Sequence, residues 1–374
     1  MNDISAIPVP HPGEFIKDEL DERGWSQRDL AFILGCPEQA VGMIIAGKRG
    51  ISAEMAKALG DAFDVSAEFF ANLQKLYELS QARQPDPGVA KRARLQTALP
   101  VREMIKRCWI QDTDAAMLET QMLHFFEANR VEDILQVSYA AKKSQNTIVL
   151  TPVQAAWLFR VRQISKVMTV PTYSEKKLKD ACGQLRYLMV DPEEIRHVPR
   201  LLMECGVRFM AVEPLPGSKI DGVCTWLNNA PVIAMSLRLD KIDNFWFVLR
   251  HEIEHALQRH GRDTPKNVRV DEDVVSDTTD LPKEEQEANK AAEDFCVPTR
   301  AMNDFIARKD PFFSERDMLG FARLQQVHPG LVVGQLQWKT KRYELFRRYL
   351  VKIRNLILPY CMVDGWGQVA PVSL

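Results

Sequence analysis

The sequence predicts an α+β protein, mostly helical, with an N-terminal five-helix domain, a helical middle region and a C-terminal domain holding a small antiparallel sheet. Three observations carry that expectation. Short helix-forming stretches punctuated by Gly and Pro fill residues 13 to 79; apolar side chains recur at helical spacing from Val101 to about Cys205; and three strand-like runs between Val207 and Leu237 are joined by turn residues. The corresponding bounds are 1–83 for the first domain, 84–100 for a linker, 101–205 for the middle region, 206–345 for the C-terminal domain and 346–374 for a closing helix and tail. A chain of 374 residues with 46% hydrophobic composition is long enough for roughly two or three domains, and its formal charge of −1 excludes a polybasic strategy. Seven scattered cysteines, odd in number, read as reduced thiols. The first residues lack the basic patch and apolar core of a signal peptide, and no apolar run reaches about 18 residues. The expectation is a soluble cytoplasmic protein with no membrane partner.

Taken in order, Glu14 to Arg23 alternates Phe15, Ile16 and Leu20 with charges, and Gly24 ends it. Ser26 is a suitable N-cap for Gln27 to Leu34, which stops at Gly35. Pro37 opens the next helix, which runs to Ile45 before Gly47-Lys48-Arg49-Gly50. Two short helices around a Gly-containing turn, with basic residues just after the second, form the pattern of a helix-turn-helix. Residues Ser26 to Phe63 resemble the Cro/repressor-like class, while His11-Pro12-Gly13-Glu14 and Lys48-Arg49-Gly50-Ile51-Ser52 are similar to the HigA-type antitoxins. That resemblance implies an operator DNA partner and a homodimer. The candidate DNA contacts are Gln27, Gln39 as a base-edge reader, Glu38 toward cytosine, and the grouped cations Lys48 and Arg49. Against direct DNA binding stands the charge of Met1 to Arg83, where eight Lys/Arg face thirteen Asp/Glu for a net 8 − 13 = −5. A protein-docking or dimerisation role is the competing reading.

Gln84-Pro85-Asp86-Pro87-Gly88 breaks any helix and marks the boundary after the first domain. Beyond it, Met104-Ile105, Cys108-Trp109, Leu118, Met122, Phe125-Phe126 and Trp157-Leu158 read as core, and His124 and His197 as structural histidines. Strands are expected over Val207 to Val212, Gly222 to Leu227 and Pro231 to Leu237, turned by residues such as Asn228-Asn229.

The stretch His251-Glu252-Ile253-Glu254-His255 carries the chemistry. On a helix, positions four apart lie one above the other, so both imidazoles can aim a ring nitrogen at one metal ion, with Glu252 beside it. Neutral imidazoles suit zinc, and a site with three protein ligands keeps a position for water that Glu252 would deprotonate. Such a match arises by accident in about one chain in a hundred of this length, so context decides. The preceding run Phe245-Trp246-Phe247-Val248-Leu249-Arg250 is apolar and unbroken, which reads as a buried helix where an unpaired polar cluster would be costly. Gln258 and Gly261 stand where a metzincin needs Gly and His, excluding that geometry, and His260 reads as solvated. A third ligand is sought in the helix from Lys283 to Pro298, whose Ala288, Ala291 and Ala292 suit close packing; by spacing alone Glu284, Glu287 and Glu293 compete.

Phe-Trp-Phe before His-Glu-x-x-His, then Glu287-Ala288-Asn289 and Pro298, resembles the ImmA/IrrE metallopeptidases, as do Gly222 to Leu227, Pro231 to Ala234 and His328 to Gln337. The resemblance implies a zincin-like domain with Glu287 as third zinc ligand beside His251 and His255, Glu252 as catalytic base, and a protein substrate such as a repressor or toxin. Glu254, Ala291 and Cys296-Val297 depart from the family pattern without touching a ligand or the base. Two functions follow: a zinc endopeptidase fused to a DNA-binding regulator, or an antitoxin-like regulator whose metal domain senses or holds a partner without turnover. The acidic stretch Asp271 to Asp280 reads as a solvated loop or lid, and the tail from Lys352 as a segment that docks on the fold or fills a cleft.

Overall fold

His11, Pro12 and Gly13 start the first helix, α1 (Pro12–Arg23), each by a different means. The His11 Nδ1 accepts a hydrogen bond of 2.9 Å from the Gly13 amide, and Pro12 lies in the first turn, where its missing N–H is not needed. Gly13 is required by a close crossing, since a Cβ there would stand 2.4 Å from the Ile44 carbonyl oxygen. Next come α2 (Gln27–Leu34), started by a reciprocal cap between Ser26 and Asp29, and α3 (Glu38–Ile45). α4 (Ala53–Phe63) and α5 (Ala67–Gln81) are capped by Ser52 and Ser66. Ile16, Leu20, Leu30, Val41, Ile44, Leu59, Phe63 and Phe70 close one core, as expected of a five-helix domain.

The structure, a computed structural model, describes residues 9–134, 150–262, 271–272 and 282–372. It divides into two units, Met1–Asp86 and Pro87–Leu374. The second unit opens with α6 (Gly88–Ala98), inside the stretch read as a linker over 84–100. Leu95 and Leu99, four apart on one helical face, are buried in the second unit's core, so the stretch from Gly88 to Leu99 is part of that core rather than a linker. α7 (Val101–Lys106), α8 (Ala115–Phe125) and α9 (Pro152–Val167) follow, then α10 (Glu175–Leu188) and α11 (Val198–Glu204).

The strands β1 (Arg208–Val212), β2 (Ile220–Leu227) and β3 (Ala230–Met235) lead into α12 (Ile242–Leu257) and the short β4 (Asp271–Glu272). The rest of the acidic stretch, 273–280, lies outside the described residues. The chain continues through α13 (Lys283–Cys296), α14 (Thr299–Lys309), α15 (Glu315–Gln325), α16 (Pro329–Thr340), α17 (Arg354–Ile357) and β5 (Met362–Asp364). The sheet order is β4-β2-β3-β1-β5.

The sheet is mixed rather than antiparallel. Asn228 and Asn229 at φ 50° and 63° make the tight β2–β3 hairpin, but β1 skips β2 and lies between β3 and β5, parallel to both. Alternation along the strands then feeds two cores. Met210, Val212, Val232 and Ala234 face the core that includes Leu95, Trp109, Phe125 and Trp157; Phe209, Ala211, Ile233 and Met235 face the core that includes Trp246, Val248 and Ile253. The middle region is therefore one side of a shared unit, because its helices have an apolar sheet face to cover. The tail docks: Asp364 accepts hydrogen bonds from Trp109 Nε1 (2.8 Å) and Arg160 Nε (2.7 Å), all three residues being buried. His124 and His197 are exposed, not core. No helix among the described residues is long and apolar enough to cross a membrane.

Candidate functional site

α12 is held between the sheet and other helices by Phe245, Trp246, Val248, Leu249 and Ile253, all buried. Its last two turns carry His251 and Glu252, both fully buried, and His255, nearly so. The two histidines converge, Nε2 to Nε2 2.9 Å apart. α13 packs on α12 because Ala288 and Ala292, fully buried, leave no bulk between the helices. Glu285 shares that face, three residues before Ala288. Its Oε2 stands 3.3 Å from His251 Nε2 and 3.6 Å from His255 Nε2.

Glu285, and not Glu287, is thus the carboxylate brought to the histidines. Residues two apart on a helix point about 200° apart, so the two glutamates cannot share a face. Glu287 is exposed, its carboxylate 3.6 Å from Lys283 Nζ on the same helix. Glu284 is exposed and Glu293 lies 3.6 Å from Lys339 Nζ. The helical phase of Ala288 and Ala292 was the sequence signal for Glu285; spacing measured from the Glu-Ala-Asn element alone missed it.

Two further residues hold the imidazoles. Asn289 Oδ1 lies 2.9 Å from His251 Nδ1, and His260 Nδ1 lies 2.8 Å from His255 Nδ1. His260 is half-buried against the site rather than solvated, and burial, with the neighbouring His255, lowers its pKa. Burial alone would raise the Glu285 carboxyl, but hydrogen bonds and charge from His251 and His255 outweigh it and hold it well below the usual carboxylate range. Gly222 on β2 makes room for Glu252, since a Cβ there would fall 2.3 Å from Glu252 Oε1 and 2.8 Å from Val248 Cγ1. Beyond Gly222, the outer side of β2 from Val223 to Leu227 pairs with no strand among the described residues.

One atom from each of His251, His255 and Glu285 lies within 4.8 Å of the others, and all three residues are buried. Two imidazoles and a carboxylate form a donor set that zinc takes, and with three protein ligands a tetrahedral ion keeps one position open. The site residues fit that ion.

In the first unit, α2 and α3 form the paired helices of the sequence reading. Glu38 and Gln39 are exposed at the start of α3, and Lys48 and Arg49 follow its end, their amides donating to the Met43 carbonyl (2.9 and 3.1 Å). Gln27 is exposed on α2 with its Oε1 toward Gly42, where an added Cβ would be 3.2 Å away. Arg28, absent from the sequence candidates, places its Nε 3.4 Å from Glu38 Oε2. Glu38 is therefore engaged with a neighbouring cation, and Arg28 cancels its negative charge at the start of α3.

The family described as Helix-turn-helix matches residues 16–70. Virulence-associated protein A' of Dichelobacter nodosus is 48% identical over 73 residues, 19% of this chain and 64% of that protein, so the chain spans just under two thirds of that relative. The uncharacterized HTH-type transcriptional regulator YddM of Escherichia coli is 30% identical over 73 residues, 20% of this chain and 78% of that protein. Among solved structures, Pseudomonas aeruginosa antitoxin HigA with the higBA promoter is 44% identical, covering 20% of this chain and 80% of that chain at a TM-score of 0.19. Through the helix pair of α2 and α3, the match over residues 16–70 and the relative that is 30% identical over 78% of its own length, the chain belongs to the helix-turn-helix family.

Proposed function

We propose that this protein is a DNA-binding transcriptional regulator of antitoxin type whose C-terminal unit holds a zinc ion. The observation that carries the reading is the helix-turn-helix domain itself, with Gln39, Lys48 and Arg49 exposed around its second helix. A relative named as an HTH-type transcriptional regulator supports it. Phosphate neutralisation by Lys48 and Arg49 offsets the acidic balance of the domain, and Arg28 cancels the negative charge of Glu38 at the start of α3. Each phosphate contact contributes about −0.9 to the slope of log affinity against log salt. Replacing both Lys48 and Arg49 by Ala should therefore flatten that slope by about 2 on the DNA upstream of the protein's own coding region. An unchanged slope would remove these residues from the interface.

His251, His255 and Glu285 would hold the zinc, and a bound zinc ion supplies Lewis acidity at its open position. A second reading, zinc-dependent cleavage of a partner protein such as a repressor or toxin, is favoured by one observation. Glu252 is a fully buried carboxylate on α12, directly after His251 in the chain and in a space left by Gly222, and a purely structural metal site has no use for such a group. Under this reading Glu252 accepts a proton from the attacking water, and a peptide segment adds to the outer edge of β2. Glu252→Gln should keep zinc and abolish cleavage of a repressor or toxin partner; unchanged cleavage would remove Glu252 from the chemistry, and a wild type that cleaves no such partner would leave regulation without turnover.

A further inference from the structure

We propose that His260 is a positioning residue for the metal centre: its Nδ1 lone pair accepts the Nδ1 proton of His255, so that the His255 Nε2 lone pair faces the site. The inference rests on the zinc reading above. A neutral imidazole carries one proton, and a ring that binds metal through Nε2 must carry it on Nδ1. Metal-bound histidines almost always donate that proton to an outer partner, which fixes both tautomer and ring orientation. His251 has such a partner in Asn289 Oδ1 at 2.9 Å. For His255 the corresponding atom is His260 Nδ1 at 2.8 Å. With that lone pair committed, the His260 proton sits on Nε2.

The chain goes to some length to put the ring there. α12 ends and the backbone turns through left-handed conformations at Arg259 (φ 60°) and Gly261 (φ 71°), the first of which a side chain disfavours. The turn is pinned by the His260 amide donating to the His255 carbonyl (3.0 Å) and by Trp226 Nε1 donating to the His260 carbonyl (2.9 Å). Arg259 is tied to Glu175 at 3.0 Å. These contacts return the His260 ring onto the last imidazole of α12, on the side away from Glu285.

The test compares the full chain with His260→Leu and His260→Asn, measuring zinc affinity by competition with a chromophoric chelator and the visible absorption of the cobalt-substituted protein. His260→Leu, which has no acceptor, should bind zinc about 10- to 100-fold more weakly. His260→Asn places Oδ1 where Nδ1 was and should stay within about threefold of wild type, with the same cobalt spectrum. A Leu variant that binds as tightly as wild type, or an Asn variant as weak as Leu, overturns the positioning role. If the wild type binds zinc no better than His251→Ala, the zinc reading itself fails and this inference falls with it. If His260→Leu does not fold, nitrogen-15 spectra of the histidine rings in zinc-loaded wild type decide the question. His255 as the Nδ1–H tautomer with His260 as Nε2–H supports the role; the reverse at His260 overturns it.

Discussion

Replacing Gly222 by Ala would put a methyl group where the structure has no room for one. The new Cβ would lie 2.3 Å from Glu252 Oε1, 3.1 Å from Glu252 Cδ and 2.8 Å from Val248 Cγ1. Both neighbours are fully buried on α12, pressed between the sheet and the helices behind it, so neither has open space to move into. Overpacking of this kind typically costs about 1–3 kcal/mol, and the flexible carboxylate end puts this case in the lower half of that range. The assay is denaturant unfolding followed by tryptophan fluorescence, which reports the second unit because six of the seven tryptophans lie beyond residue 86. A double-mutant cycle assigns the cause. In a Glu252→Ala background the closest contact is gone, so adding Ala at 222 should cost about 1 kcal/mol less than in wild type. Zinc affinity should change little, since the three ligands are not touched. If the two substitutions add within about 0.5 kcal/mol, or if Gly222→Ala alone leaves stability unchanged, the contact between Gly222 and Glu252 is not what the geometry says.

Other consequences are open to the same kind of measurement. Glu285→Gln should weaken zinc binding at least about 100-fold while Glu287→Gln leaves it unchanged, and the opposite ranking would restore the carboxylate expected from the sequence. His328 caps α16 through Nδ1, which accepts from the Gly330 amide at 3.0 Å, and burial lowers its pKa. A histidine depressed in the fold contributes stability that is complete above its unfolded pKa near 6.5 and is lost as pH falls through the folded value. His328→Asn, which caps without titrating, should remove that part of the pH dependence, as read from unfolding midpoints between about pH 7 and 5. Arg160→Met should destabilise the second unit by about 3–5 kcal/mol by leaving Asp364 buried without its cation; a loss below about 1 kcal/mol would show that the tail is not held by this pair.

Much of this was legible in the sequence because local chemistry and global fold agree there. Ser26, Gly35 and Pro37 bound the paired helices by their own conformational preferences, and His251 and His255 lie on one face by helical period alone. What escaped depends on packing between distant segments. Glu287 follows from counting along a motif, whereas Glu285 follows from which face of α13 meets α12, a matter fixed by Ala288 and Ala292. The direction of β1 relative to β3, and the pairing of β5 with β1, are long-range choices that strand-like composition does not encode. His260 looked solvated between two arginines because the left-handed step that folds it back falls on Arg259 as well as Gly261, and an arginine does not announce such a step.

The most direct measurement is the affinity of the full chain for duplex DNA from upstream of its own coding region, set against a duplex of shuffled sequence at physiological salt. A helix-turn-helix regulator should prefer its operator by about 10³ or more, with affinity falling steeply as salt rises. Equal affinity for the two duplexes would contradict a regulatory role and would make the first unit a docking or dimerisation module instead.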